Sequence, residues 1–183
     1  MTMASMGEHG SAQRSADDAV TELYAVHWQP LVRLAWLLLH DAGEAEEVVQ
    51  DAFIALHAHW SGLRDPSAAA AYLRRAVVNR SRSALRHRGV EQRWAASVRG
   101  GPEDPNARTG ASAEDSAVAD LSRESLLAAL NRLPTRQREV LVLRYYLDLA
   151  EAQIADALEI SPGSVKTHAS RGLAALRTGT EWT

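Results

Sequence analysis

The stretch from Gln153 to Arg177, QIADALEISPGSVKTHASRGLAALR, holds the side chains best placed to do chemistry. Ser164, Lys166, Thr167, His168, Ser170 and Arg171 can all donate hydrogen bonds. Such donors bind phosphate oxygens and base edges. They fall on a helix predicted to begin at Ser161-Pro162, with Ser as N-cap and Pro at the first helical position. Ile154, Leu158, Ile160 and Val165 are apolar where a partner helix would cover them, and Ala155 is small where two helices must cross. Two short helices around a tight turn make a helix-turn-helix, which lays its second helix in a major groove.

A second set of residues repeats the theme. Arg75, Arg82, Arg86 and Arg93 are spaced by 7, 4 and 7 residues. At 3.6 residues per turn they lie within roughly 20° of one line, over about 27 Å of helix. Such a stripe matches successive phosphates of a duplex. The alternative is a solvated face, but Glu91 is the one acidic residue nearby in sequence. Tyr72, Leu73, Ala76 and Val77 point away from the stripe and are expected in the core.

A third set is acidic. A helix over about 42–59 would bury Ala45, Val48, Val49, Ala52 and Leu56 and show Glu46, Glu47, Gln50 and Asp51 on its other face. Taken alone, that face is as well explained by solvent as by a partner. Trp60, Leu63 and Tyr72 read as core rather than as a base-stacking platform. His57 and His59 point in different directions on a helix, and no HExxH, Gly-rich phosphate loop or GxSxG occurs. No metal, no cofactor and no catalytic residue is expected.

The elements that position these residues are helical. Apolar residues recur every three to four positions, and almost nothing alternates with period two. The fold class expected is all-α, as two small helical domains on a flexible linker, the second ending in the helix-turn-helix. Residues 1–16 read as a disordered tail, 17–95 as a first domain, 96–120 as a linker rich in Gly, Pro, Ala, Ser and Asp, and 121–178 as a second domain. In the first, a helix from Asp17 to about Trp28 should break at Pro30 before Leu31–Leu39. Asp41 with Glu44 is a capping-box variant, and Asp65-Pro66 starts the arginine helix, which runs to about Arg88 or beyond. In the second, helices are expected near 121–131, 134–146, 150–157 and 163–177.

Composition sets limits. The 183 residues include no Cys, which excludes disulfides and thiolate metal sites. The longest apolar run, Leu31–Leu39, spans nine residues and contains Arg33, too short to cross a bilayer. The N-terminus lacks the apolar stretch of a signal peptide, so a soluble cytoplasmic protein without membrane insertion is expected. The net charge of −3 hides strong polarity: residues 1–73 carry 3 basic and 10 acidic side chains, 74–99 carry 8 and 1, and 136–183 carry 6 and 6. Two surfaces of opposite sign suggest two kinds of partner.

The order of these pieces resembles a bacterial RNA polymerase sigma factor of the extracytoplasmic-function (ECF) type. LVRLAWLLLHDAGEAEEVVQDAF at 31–53, YLRRAVVNRSRSALRHR at 72–88 and LPTRQREVLVLRYYLDLAEAQIADALEISPGSVKTHASRGLAALR at 133–177 carry the likeness. The resemblance implies a non-catalytic subunit that binds core RNA polymerase and directs initiation at promoter DNA. Residues 17–95 would be sigma region 2 and 121–178 sigma region 4. It implies that Glu47, Gln50, Asp51 and Ile54 face core polymerase. It assigns Arg64, Asp65, Arg75, Asn79, Arg80, Arg82, Ser83 and Arg86 to the −10 element and the melting duplex. Lys166, Thr167, His168, Ser170 and Arg171 fall to the −35 element. Such factors are often held by an anti-sigma protein covering both domains, so one is an expected partner.

The chain departs from the family in places. Glu159 occupies the turn where the family usually has Gly, which predicts a differently shaped turn. Ser170 and Leu173 stand where many members carry a bulkier or basic residue, which bears on promoter preference. A stand-alone helix-turn-helix regulator with a helical sensor domain is the main alternative, but it leaves VVQDAF and VVNRSRS without a purpose. A helical metalloenzyme would need carboxylates clustered with a histidine at i+3, which the chain lacks.

Overall fold

The computed structural model describes residues 5–63, 65–99 and 117–179, and among these every regular element is helical. The order is α1 (Ser5–Leu39), α2 (Ala42–Ala58), two short 3-10 turns (Trp60–Gly62 and Pro66–Ala68), α3 (Ala69–Arg99), α4 (Ala117–Arg132), α5 (Thr135–Tyr145), α6 (Glu151–Leu158) and α7 (Pro162–Gly179). The first three helices pack on one another, and α4 to α7 form a second group.

Local signals set most of these ends. The Asp41 carboxylate accepts the Glu44 N–H at 3.0 Å and opens α2. Ser161 Oγ accepts the Ser164 N–H at 3.1 Å and opens α7 at Pro162. Asp65 caps the 3-10 turn rather than α3 itself, accepting from Ser67 N at 2.9 Å and Ser67 Oγ at 2.7 Å. Those two bonds hold the Asp65 carboxyl below the usual carboxylate range.

Two expectations fail at α1. The helix starts at Ser5, inside the stretch read as a disordered tail, and it runs straight through Pro30. Proline removes one backbone donor and crowds the preceding turn, at a local cost of about 3 kcal/mol. Packing on both sides of it prevails. Leu31, Leu34, Ala35 and Leu38 are buried, while Val20, Leu23 and Trp28 pack on the same core. Tyr24 stacks on Trp28 with ring centroids 4.7 Å apart, and Phe53 of α2 lies 5.2 Å from Tyr24. The expected linker is also shorter at both ends, since α3 continues to Arg99 and α4 begins at Ala117. Residues 100–116 lie outside the described residues.

Arg88 ties the first three helices together. It donates to the last carbonyl of α1, at Leu39, over 3.0 Å, and pairs with Glu44 in the first turn of α2. The carbonyl end of one helix and the carboxylate at the start of the next both attract a cation. Beside it sits His40, in left-handed backbone at φ 56° between α1 and α2. Burial, with Arg138 and Arg88 nearby, pushes the His40 imidazole down to about 4.

In the second group Val140, Leu143, Ile154, Leu158 and Val165 are almost wholly buried. Each fully buried side chain of this size contributes about 1.5–3 kcal/mol. The turn between α6 and α7 keeps the shape a glycine would give it, against the expected departure. Glu159 lies at φ 54°, ψ 47°, and the Ile160 N–H reaches back to Ala155 O at 3.0 Å. This is the helix ending that usually recruits Gly. Arg136 supports it by donating to Leu158 O at 3.3 Å.

Two outcomes follow from these strained or buried positions. Glu159→Gly should raise stability by about 0.5–1 kcal/mol in urea denaturation, because the left-handed penalty exceeds the entropy glycine adds to the unfolded chain. His40 is neutral in the fold and its value lies below the ordinary 6.5. Its contribution is therefore complete above pH 6.5 and lost as pH falls from there towards about 4. His40→Asn, which tolerates the same backbone, should remove that part of the pH dependence when urea midpoints are compared across this window.

Candidate nucleic-acid interface

Helix α7 presents its polar residues much as their spacing predicts. Lys166, Thr167, Ser170 and Arg171 are exposed, while Val165 and Ala169 are buried against the rest of the group. His168 differs: it is half-buried, on the shoulder of the helix rather than its outer face. Lys166 Nζ lies 3.6 Å from Glu151 at the start of α6, and the Thr167 hydroxyl donates to Gly163 O at 2.9 Å. Thr167 keeps acceptor capacity for an outside donor.

The height of this helix is fixed by Gly172. A Cβ built there would stand 2.9 Å from Leu141 Cδ1 and 3.3 Å from Gln137 Cβ. The α7 backbone therefore rests directly on α5. A glycine inside a helix costs about 0.5–1 kcal/mol relative to Ala, and here it permits the close approach.

The arginine helix behaves otherwise than its sequence suggests. Arg82 forms a two-pronged pair with Glu139 of α5, Nε to Oε1 and Nη2 to Oε2 both at 3.0 Å. The Glu139 side chain is 2% exposed and that of Arg82 is 20% exposed. Asn79 accepts from Arg82 Nη1 at 3.2 Å and Arg136 adds a contact to Glu139 at 3.3 Å. About two turns away, Arg75 pairs with Asp156 of α6. Arg82 and Arg75 of the stripe are thus paired, with carboxylate partners 57 and 81 residues away in sequence. Arg86 remains exposed and donates to Ser83 Oγ at 2.9 Å; Arg80 is half-buried and Ser83 and Asp65 are exposed. Arg64 and the Arg93 side chain lie outside the described residues.

A further hydrogen bond joins the two helix groups. Tyr146 donates its hydroxyl to Pro30 O at 3.3 Å. Within the second group, Arg138 is 7% exposed and reaches Asn131 O and Oδ1 at 3.4 Å. Burial holds its guanidinium below the usual range; Glu139 opposes that shift and Arg88 adds to it. Glu139 and Asp156 are the residues sequence reasoning missed. The available signal was a charge excess in 74–99 without local acids, together with an acid at the head of the apolar run EVLVL at 139–143.

The outer face of α2 is as expected. Glu46, Glu47, Gln50 and Asp51 are exposed, and Ile54 stands 59% exposed among them. Beside them runs a groove of about 550 Å³ lined by Tyr24, Trp28, Glu46, Gln50, Phe53 and Ile54. His57, at its end, contacts Asp17 of α1 at 2.6 Å. The result is an apolar trough with an acidic rim. Among the described residues no helix is long and apolar enough to cross a membrane.

Both helix groups match known families. Residues 23–90 match Sigma-70 region 2 and residues 123–176 match Sigma-70, region 4. The chain is similar to an RNA polymerase sigma-E factor of Streptomyces avermitilis, 33% identical over 148 residues that cover 80% of this chain and 76% of that protein. It is similar to the ECF RNA polymerase sigma factor SigL of Mycobacterium tuberculosis, 32% identical over 160 residues and 85% of each chain. Among solved structures it shares its fold with the sigma factor RpoE of Bartonella quintana, determined in complex with the anti-sigma factor NepR. That likeness has a TM-score of 0.69 at 22% identity and covers 87% of this chain and 94% of the other. With a region 2 before α4 and a region 4 ending in a helix-turn-helix, this chain belongs to the ECF group of RNA polymerase sigma factors, proteins of promoter-specific transcription.

Proposed function

We propose that this chain binds core RNA polymerase through the outer face of α2, directs it to two-part promoters and helps to open the DNA. The observation that carries the reading is the outward row Lys166, Thr167, Ser170 and Arg171 on a Ser161-capped helix seated on α5. In this reading those residues, with His168 at the edge, contact the −35 element. The segment Arg64–Asp65 and the residues Arg75, Asn79, Arg80, Arg82, Ser83 and Arg86 serve the −10 element and the melting duplex.

Glu47, Gln50, Asp51 and Ile54 form the polymerase-facing patch. Exposed carboxylates around an exposed isoleucine and an apolar trough suit a basic partner helix that buries aliphatic side chains between its charges. Region 136–183 carries 6 basic and 6 acidic residues, so affinity for DNA alone is low and polymerase supplies the rest. An anti-sigma protein belongs to the same reading, supported by the relative from Bartonella quintana that was solved with one.

Purified chain and core polymerase should transcribe from promoters recovered by sequencing holoenzyme-bound DNA, and core alone should not. No gain over core alone would sink the proposal. Asp51→Arg should weaken co-elution with core polymerase by about tenfold or more while leaving the fold intact by circular dichroism. Arg171→Ala should lower promoter-dependent transcription by about tenfold, the loss of one good base or phosphate contact, with core binding unchanged.

A further inference from the structure

Where α3 meets the start of α5 the surface opens into a cleft of about 210 Å³. Arg82, Leu85 and Arg86 line one wall, and Thr135 and Arg136 line the other. Arg82 is engaged with the protein: Nε and Nη2 bind Glu139, and Nη1 binds Asn79. Arg136 turns Nη1 towards Glu139 and Leu158 O, both at 3.3 Å. Arg86 is exposed and donates to Ser83 Oγ, with no carboxylate partner among the described residues. Three cations thus share the one carboxylate of Glu139, which leaves two positive charges uncompensated at the cleft.

We infer that this cleft is a binding site for a small phosphate-class anion, a pyrophosphate group free or on a nucleotide, gripped by Arg86 from α3 and Arg136 from α5. The donor set suits such a ligand. Each guanidinium has five N–H donors in a planar fork that matches phosphate oxygens. Arg86 and Arg136 spend only part of theirs on Ser83, Glu139 and Leu158. Arg82 contributes its charge, and Glu139 steadies Arg82 and Arg136 at the cleft's edge, so an incoming anion need not displace it. On the α5 side the helix begins at Pro134 without a side-chain cap. The Thr135 and Arg136 backbone N–H groups therefore add to a wall already made of cations.

Size and charge narrow the class. Sites for drug-sized ligands start near roughly 300 Å³, so this cleft takes an anionic group and leaves anything attached to it in solvent. A volume of this order admits no duplex, which separates the site from the promoter contacts assigned to α3. A monovalent ion would balance half of the surplus charge and make no use of the paired donors. Two linked phosphate groups can meet Arg86 and Arg136 together.

Isothermal titration calorimetry of the full chain with sodium pyrophosphate, in chloride buffer at about 0.1 M ionic strength, should show one saturable site. Arg86→Ala and Arg136→Gln should each weaken it about tenfold. Arg86→Lys, which keeps the charge and loses the fork, should recover only part of the loss. Arg177→Ala removes the same charge from an exposed residue of α7 outside the cleft, and should stay within about twofold of the parent. Adenosine 5′-diphosphate identifies the source: affinity equal to or above that of pyrophosphate assigns the site to nucleotides, and a tenfold loss assigns it to the free anion.

The inference is wrong if the parent shows no saturable binding below about 1 mM. It is equally wrong if Arg177→Ala weakens binding as much as Arg86→Ala, which would mean diffuse attraction, or if only one wall responds. Should Arg136→Gln fail to fold by circular dichroism, Thr135→Ala reads the α5 wall, and a loss of a few-fold is expected there. Neither polymerase nor promoter enters the measurement, so its failure leaves the initiation role standing.

Discussion

Glu139 is a carboxylate that the fold has almost removed from water, and three arginines converge around it. Arg82 binds it from α3, Arg136 binds it from its own helix, and Arg138 lies close enough to feel its charge. A buried charge is tolerated only when its partners are in place, because an unpaired one costs several kcal/mol. Glu139 therefore constrains more than its own helix. Beside it α6 packs on both α5 and α3, and the α3–α6 contact brings Asp156 to Arg75. Arg136 extends the same cluster to the end of α6 by binding Leu158 O. The relation of the two domains rests in part on one desolvated anion and its cations, beside the packing of α1 on α5 and the Tyr146–Pro30 bond.

The corner where α1 meets α2 shows the same economy of charge from the opposite side. Arg88 and Arg138 both approach it, and His40 between them is held neutral. Glu44 and the Leu39 carbonyl absorb one of the two guanidinium charges. A protonated His40 would make three cations around one small space. The cluster keeps its charge balanced by declining a proton rather than by recruiting another acid.

Much of this was legible in the sequence, and what was not follows a pattern. Asp41 before Glu44 and Ser161 before Pro162 mark helix starts because a cap needs only its own next three residues. Leu73, Val77, Ile154 and Val165 declare themselves core by period alone. Pro30 misleads because its local cost is real, and only the shared burial of Leu23 and Leu34 outweighs it. Residues 74–99 read as an unpaired basic helix because Glu139 and Asp156 are far away along the chain and adjacent only after folding. Glu159 was legible as a departure, but its outcome was not. Backbone bonds from Ile160 and support from Arg136 impose the left-handed turn on a residue that does not favour it.

Gly172 carries a consequence beyond its own contact. Where α7 touches α5 backbone against side chain, the seam has no slack for adjustment, and the inward surface of the helix is committed. The outward surface has no such packing commitment: Lys166, Thr167, Ser170 and Arg171 are exposed, with the pair to Glu151 and the Thr167 bond to Gly163 as its ties to the scaffold. Changes on that side alter what the helix meets without being transmitted inward. A chain built this way can vary its outward surface while its scaffold stays fixed. Exchange of a few side chains on that surface then needs no new architecture.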